Sequence, residues 1–347
     1  MISMHKTSFK INKNSEPFII AEAGINHNGN IGKALEMIHV AKNAGADAIK
    51  FQAFKASGIV ADSSLTYTYT SQGSKITEPQ MDLFQRCELN KQDFLKIKKE
   101  CEKEGILFIA TPENRTDLDM LLEIGISAIK VGSDDFTNIP LLKDYSTTGL
   151  PMIISCGMAN LKEIETTMKA LKNHSVVLML TTSLYPTEPS EVNLLKFKTL
   201  KKLFPNLLLG YSDHTQSNLA SPLALVFGAK IFEKHFTLDN TLPGPDHWFS
   251  EDPNGLKNWI ESIRTSKIML GTKKLEPTKK EEEMKKIARR SIVALKDIDS
   301  NEILDRNNVG IRRPGTGLSP EAYEKILQKR TTRKIKKGEL IKLEDCK

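Results

Sequence analysis

His214 and His235 are the residues of this chain best suited to chemistry by type and spacing. Each closes a short apolar run, Leu207-Leu208-Leu209-Gly210-Tyr211-Ser212-Asp213-His214 in the first case and Lys230-Ile231-Phe232-Glu233-Lys234-His235-Phe236 in the second. A helix-like stretch of about one crossover length separates the two runs. If both runs are parallel strands of one sheet, their imidazoles converge at the edge where α/β proteins keep their chemistry. Two imidazoles with carboxylates nearby suit a divalent transition metal with open coordination positions.

Eight such runs supply the positioning elements. They are Phe18–Gly24, Ala48–Phe54, Leu107–Pro112, Ala128–Ser133, Pro151–Gly157, Val176–Ser183, Leu207–His214 and Lys230–Phe236. Amphipathic stretches lie between them, among them Gly32–Ala44, Lys91–Lys103, Leu161–Lys172 and Leu219–Phe227. Short, nearly continuous apolar runs are what parallel strands covered on both faces require. Eight β/α repeats point to a (β/α)8 TIM barrel. A doubly wound open sheet is the competing fold, but GxGxxG is absent and polar residues gather at the strands' C-terminal ends. Alternation along a strand pairs Lys50 with Gln52, Ser212 with His214 and Glu233 with His235 on one face, and turns Lys234 the other way. The polar stretch Ala56–Thr77 reads as a surface loop over the barrel mouth, with a lid as its functional reading.

The barrel is expected over residues 1–271, a Lys/Glu-rich linker over 272–290, and a compact β-rich tail over 291–347. The tail has strand-like runs at Ser291–Leu295 and Val309–Arg312, and its roughly 57 residues are marginal as an independent core. With 27% charged and 39% hydrophobic residues, the composition is that of a soluble globular protein. No apolar run approaches the roughly 20 residues needed to span a bilayer, and the first residues hold no signal-peptide core. Cys87, Cys101, Cys156 and Cys346 lack CxxC spacing. Reduced thiols in a cytoplasm are therefore expected. The net charge of +7 resides largely in Lys/Glu-interleaved helical faces without aromatic or zinc-knuckle signals, so nucleic-acid binding is not expected. A positive field would still favour an anionic substrate.

The strand ends taken together carry more than any one of them. They are Ala21-Glu22-Ala23-Gly24-Ile25-Asn26-His27-Asn28-Gly29, Lys50-Phe51-Gln52, Lys130-Val131-Gly132-Ser133, Ser155-Cys156-Gly157-Met158, Tyr185-Pro186, Tyr211-Ser212-Asp213-His214, Glu233-Lys234-His235-Phe236, Gly244-Pro245-Asp246-His247 and Arg312-Arg313-Pro314-Gly315. In order and spacing this set resembles the sialic acid synthase family, from about Pro17 to the C-terminus. That family condenses phosphoenolpyruvate with an N-acylated sugar to a nine-carbon 2-keto acid. The resemblance implies a (β/α)8 barrel followed by an antifreeze-like (SAF) domain that reaches across a homodimer to the partner's barrel mouth.

It also implies roles. His214 and His235 would hold a divalent ion, typically manganese, with magnesium or cobalt as alternatives. Lys50 and Lys130, with Ser133, Ser155, Ser183 and Ser212, would hold phosphoenolpyruvate through charge-assisted bonds. Glu22 and Asp246 would serve as carboxylates at the reacting centre, with Lys50 beside them. Gln52, Thr111, Asp135 and Tyr185 would line the substrate site, and Arg313 of a neighbouring subunit would contact the sugar's N-acyl group. The product would be N-acetylneuraminate, legionaminate or a related nonulosonate, and Gly244-Pro245-Asp246-His247 fits the sialate and legionaminate branches. The chain departs from the family where many members read Thr-Pro-Phe and this one reads Thr111-Pro112-Glu113. It also has Asp134-Asp135 where Gly-Glu is frequent, Ser183 for Asn, and Cys156 for Thr.

The residues by themselves leave other readings open. Lys50 or Lys130 could serve a Schiff-base aldolase. A metal amidohydrolase would want His-x-His on the first strand, where this chain has Asn26-His27-Asn28. A carbohydrate- or ice-binding protein with a silent barrel is the non-enzymatic alternative. His27 is read as either a turn residue or a substrate contact. His5, His39, His174 and His247 are read as surface or packing residues, and Cys156 as a small core residue.

Overall fold

A computed structural model describes residues 2–3, 10–12 and 14–347, so His5 lies outside the described residues. The chain forms two compact units, Met1–Gly271 and Thr272–Lys347.

The first unit is a closed parallel barrel. Its strands are β1 Phe18–Gly24, β2 Ala48–Ala53, β3 Leu107–Pro112, β4 Ile129–Val131, β5 Met152–Ser155, β6 Val176–Leu180, β7 Leu208–Asp213 and β8 Ile231–His235. β8 pairs with β1 to close the ring. The expected strands are all present; most end one to three residues early, and Ser133, Ser183 and His214, just beyond the ladder, line the mouth. The outer helices are α1 Ile31–Ala44, α2 Lys91–Glu104, α3 Arg115–Ile124, α4 Ile139–Ser146, α5 Leu161–Ala170, α6 Lys196–Leu203, α7 Ala220–Val226 and α8 Pro253–Met269.

Local chemistry starts and stops these helices. Asn30, Asn90, Asn114, Asn138 and Asn160 accept backbone N–H groups at the starts of α1 to α5. Asp252 does the same for α8. A short side-chain oxygen there satisfies donors that have no intrahelical partner. Gly45, Gly105 and Gly125 end α1, α2 and α3 in the left-handed conformation.

Strand alternation divides the core in two. Phe18, Ile20, Ala48, Ile109, Ala128, Ile153, Val177, Met179 and Ile231 fill the barrel's lower interior, with Ile11 among them. Ile19, Ala21, Ile49, Phe51, Phe108, Ile129, Ile154, Leu178, Leu209 and Phe232 face outward and pack with the helices. Because the period is two, Glu22, Lys50, Lys130, Ser155, Ser212 and Glu233 then lie on the interior face, above the apolar layers. Lys234 faces outward as expected, yet it is buried. Its ammonium lies 3.4 Å from Asp213 and 3.6 Å from Glu251. It also sits over the ring of Trp259 on α8.

The stretch expected as a loop after β2 is instead ordered as a short helix, Ala56–Ile59, and a hairpin, Thr66–Ser71 with Ser74–Pro79. The sequence Thr66-Tyr67-Thr68-Tyr69-Thr70 alternates β-formers, and Gln72-Gly73 both take positive φ, the conformation of a two-residue hairpin turn. Gln72 Nε2 donates to the Thr241 carbonyl at 2.8 Å, and Gly244 N–H donates to Ser71 Oγ at 3.1 Å. These bonds tie the hairpin to the loop after β8.

In the second unit, Ser291–Ala294 pairs antiparallel with Val309–Arg312. Its core is Ile292, Ala294, Ile298, Leu304, Val309, Ile326, Ile335 and Ile341. Residues 272–290, expected as a linker, contain helix α9 Lys279–Ala288 and fall within this unit. No helix among the described residues is long and apolar enough to cross a membrane.

Candidate active site

A cavity of about 380 Å3 opens at the C-terminal ends of the strands. Its size falls within the range of roughly 300–1,000 Å3 usual for small-molecule sites. Glu22, Lys50, Gln52, Thr111, Lys130, Ser133, Ser155, Ser183, Tyr185, Ser212, His214, His235 and Asp246 all line it. Two expected residues do not. Asp135 accepts a hydrogen bond from Asn138 Nδ2 at 2.9 Å in the turn before α4, and its neighbour Asp134 lines the cavity instead. Arg313 belongs to the C-terminal unit, where it is exposed and its Nε donates to the Ala288 carbonyl at 3.1 Å.

The floor is a buried charge network. Lys50 Nζ lies 3.4 Å from Glu22 and 3.2 Å from Glu233, and Lys130 Nζ lies 3.7 Å from Glu233. Lys130 also donates to Ser155 Oγ at 2.8 Å and to the Val131 carbonyl at 3.0 Å. Burial disfavours the Lys50 ammonium, but Glu22 and Glu233 outweigh burial and hold its pKa above the usual lysine value. Burial dominates at Lys130 and lowers its pKa. Burial also works against the Glu233 carboxylate, yet Lys130 and Lys50 overcome it and keep that group ionised. Glu22 is pushed up by burial with only partial relief from Lys50, and neither of its oxygens has a hydrogen-bond partner. Thr111 Oγ1, Ser183 Oγ and His235 Nδ1 are likewise buried without partners. Unpaired buried polar atoms are rare in folded proteins, and here they converge on one cavity.

Gly157 allows the hydroxyls to converge. A Cβ there would stand 2.2 Å from Ser183 Oγ and 2.7 Å from Ser133 Oγ, and the Gly157 N–H donates to Ser133 Oγ at 3.0 Å.

The two imidazoles meet edge to face with ring centroids 5.6 Å apart. His214 Nδ1 lies 2.7 Å from the Thr182 carbonyl. A carbonyl only accepts, so Nδ1 carries the proton and Nε2 keeps its lone pair. Burial lowers the His214 pKa to about 4 and takes that of His235 well below its usual value, so both rings are neutral. The Tyr185 ring stacks 4.2 Å from His214 and stands edge-on to His235, and Phe249 packs against His235. Asp246 comes within 3.9 Å of His235 Nδ1, and burial raises its pKa to about 7. Asn26 supports the segment from below, donating to the Phe236 carbonyl and to Ser250 Oγ. His247 shares a 2.6 Å hydrogen bond with Thr237 Oγ1 in the same loop.

Among the remaining histidines, His27 is fully buried and accepts the Gly29 N–H, which fixes the first loop. His174 bonds the Leu150 carbonyl. His39, on the outer face of α1, lies 3.2 Å from Glu100 and 3.5 Å from Glu104 on α2. Those three groups are close enough together to hold a metal ion, away from the cavity. Sequence reasoning assigned no site role to Glu233, Thr181 or Tyr67 and named Glu113 and Asp134 only as departures from the family pattern; all five line the cavity. Glu233 was accessible through its alternation with His235. Tyr67 arrives on the hairpin, so no pattern near the strand ends announces it.

Residues 37–275 match the NeuB family model, and residues 289–346 match the SAF domain. The N,N'-diacetyllegionaminic acid synthase of Campylobacter jejuni is 37% identical over 93% of this chain and 98% of its own length. The human N-acetylneuraminate-9-phosphate synthase is 32% identical over 93% of this chain and 91% of its own. The crystal structure of N-acetylneuraminic acid (sialic acid) synthetase from Leptospira borgpetersenii, in complex with citrate, superposes with a TM-score of 0.70 at 37% identity. It covers 78% of this chain and 90% of that one. A closed eight-stranded barrel with this interior, followed by a SAF domain, therefore makes the chain a member of the NeuB family and an enzyme of the sialic acid synthase type.

Proposed function

We propose that this enzyme condenses phosphoenolpyruvate with an N-acylated hexosamine, releasing phosphate and a nine-carbon 2-keto sugar acid such as N-acetylneuraminate, legionaminate or a related nonulosonate. The observation that carries the reading is the combination of groups that share the cavity. Buried ammonium groups and hydroxyls line it together with two neutral imidazoles beside a carboxylate, Ser212 joining the two sets by its contacts with Glu233 and His214. Lys130, with the hydroxyls of Ser133, Ser155, Ser183 and Ser212, receives the phosphate and carboxylate of the enol phosphate, and Lys50 adds a second cation. The imidazoles fit a divalent ion, because both are neutral and the tautomer of His214 leaves Nε2, 3.3 Å from Ser212 Oγ, unprotonated with its lone pair. His214 and His235 would hold the ion (manganese in our reading, magnesium or cobalt otherwise), which when bound would supply Lewis acidity for the sugar's aldehyde.

C3 of the enol phosphate bonds to the aldehyde carbon, and C2 becomes cationic. Water adds at C2, and phosphate leaves with the electrons of the broken C–O bond. Glu22, a buried carboxyl without a hydrogen-bond partner, opposes the positive charge at C2, and Asp246 exchanges the protons of the added water and the new hydroxyl. Gln52, Thr111 and Tyr185 face the sugar. Arg313 serves the barrel of a second copy in a homodimer, where its fork of donors suits an N-acyl carbonyl. The scattered free cysteines support a reducing cytoplasm as the working compartment.

The deciding assay measures phosphate release from phosphoenolpyruvate with a panel of N-acyl hexosamines, with and without manganese, and identifies products by mass. Sugar-dependent release that chelation stops and metal restores is the expected result. The lowered pKa of buried Lys130 favours one competing chemistry, a Schiff-base aldolase. Borohydride trapping with pyruvate would then add a pyruvyl mass to the protein; we expect none.

A further inference from the structure

The cavity has a second charged wall that the reaction as derived does not use. Glu113 follows β3 directly, and its N–H still donates to the Ala53 carbonyl at 3.2 Å. It therefore keeps strand alternation with Thr111 and Ile109 and turns its carboxyl into the barrel mouth. Asp134 reaches the same cavity from beyond β4. Among the described residues, neither carboxyl has a hydrogen bond or ion pair. The cations of the floor are already engaged, Lys50 by Glu22 and Glu233, and Lys130 by Glu233 and Ser155. Burial, with Asp134 and Asp135 beside it, raises the Glu113 pKa to about 8 against partial relief from Lys50, so among the described residues no cation within ion-pair distance balances the wall.

A wall of carboxyls offers no attraction to the phosphate and carboxylate of an enol phosphate, so its occupant is the other substrate, and a cation bound there would return Glu113 to its carboxylate form. A charged nitrogen on a sugar fits it, because separate carboxylates can meet such a group through charge-assisted bonds.

We propose that Glu113, assisted by Asp134, is a specificity-determining residue that selects an N-acylated hexosamine bearing a second, cationic nitrogen, as an ammonium or amidinium group. This rests on the condensing reaction proposed above. The test compares kcat/KM, by phosphate release with saturating phosphoenolpyruvate and manganese, for three acceptors that differ at one ring carbon. They carry a hydroxyl, an acetamido group or a free amino group there, and an amidino derivative separates ammonium from amidinium. The wild-type enzyme should favour a cationic acceptor over the hydroxyl one by at least tenfold. Glu113→Gln should reduce that ratio at least tenfold, and Glu113→Asp should restore part of it. Melting temperatures of both variants establish that they are folded. Equal or better use of the hydroxyl or acetamido acceptor by the wild type overturns the inference while leaving the condensing reaction standing. A ratio unchanged in Glu113→Gln does the same. Silence with every acceptor overturns both.

Discussion

Single residues in this barrel are tuned mainly by burial, and the two histidines at the mouth show the consequence most directly. Kept neutral and faced by aromatic rings, they are ready to donate lone pairs and poorly suited to carry protons. Replacing His235 by Ala should lower phosphate-releasing turnover at least about 1,000-fold while circular dichroism and melting temperature stay near wild type. Turnover within tenfold of wild type would sink the metal reading. His27 responds to the same physics without facing the cavity. Burial lowers its pKa to about 4 from an ordinary 6.5, so between those values the unfolded chain binds a proton that the folded chain refuses. Its contribution is therefore intact above about pH 6.5 and is lost as pH falls toward 4, up to about 3 kcal/mol. His27→Asn, which keeps an acceptor for the Gly29 N–H, should reduce the loss of unfolding free energy between pH 7 and pH 4.5 in urea titrations. His247, also lowered to about 4, leaves a remainder of the same sign. An unaltered pH profile in His27→Asn would refute the assignment.

At the level of elements, each strand divides its residues between chemistry and packing. β8 puts Glu233 and His235 inside and Lys234 outside, where the ammonium joins α8 to β7 through Asp213 and Trp259. Asp213 also accepts from Thr215 and Ser221, so it keeps partners if the lysine is lost. Lys234→Ala should therefore destabilise the barrel by about 3 kcal/mol, the lower end for breaking a buried pair, as read from the urea midpoint. A shift under about 0.5 kcal/mol would mean the pair is structurally idle. Gly157 and the hydroxyls of Ser133 and Ser183 form a comparable unit between β4, β5 and β6. In Gly157→Ala a methyl group displaces both hydroxyls, so the KM for phosphoenolpyruvate should rise at least about tenfold, with a smaller change in kcat. An unchanged KM would remove those hydroxyls from the anion site.

For the whole molecule, the charge excess is unevenly distributed. Residues 272–347 carry 21 Lys and Arg against 13 Asp and Glu, which leaves the barrel unit with 29 against 30. Anion attraction inside the barrel must then come from Lys50 and Lys130 rather than from its net charge. The proposed homodimer has its own test. If Arg313 of one copy serves the barrel of the other, Arg313→Ala and His235→Ala homodimers should both be nearly inactive. Their mixed dimers should regain activity, because one of the two sites then has both residues intact. No recovery after co-refolding, with mixed dimers verified by mass, would place Arg313 outside the partner's site.

The sequence by itself determined the barrel, its strand faces and most of the cavity lining. Side-chain alternation is a local property, and a period of two sends Glu22, Lys50, Lys130, Ser212 and His235 to one face wherever strands form. The Asn caps and Gly stops of the helices were equally local. Tertiary structure alone decided three matters. It engaged Lys50 and Lys130 with Glu233, because distances across a barrel interior depend on how the strands close. It turned Asp135 toward Asn138 and left Asp134 at the cavity, since the register of a turn is set by its own hydrogen bonds. It brought Tyr67 to the mouth on a hairpin latched to the loop after β8, through contacts some 170 residues apart in the chain. For His214 and His235, sequence supplied the ligand types and the strand ends. Burial then removed their protons, and burial is a property of the closed barrel.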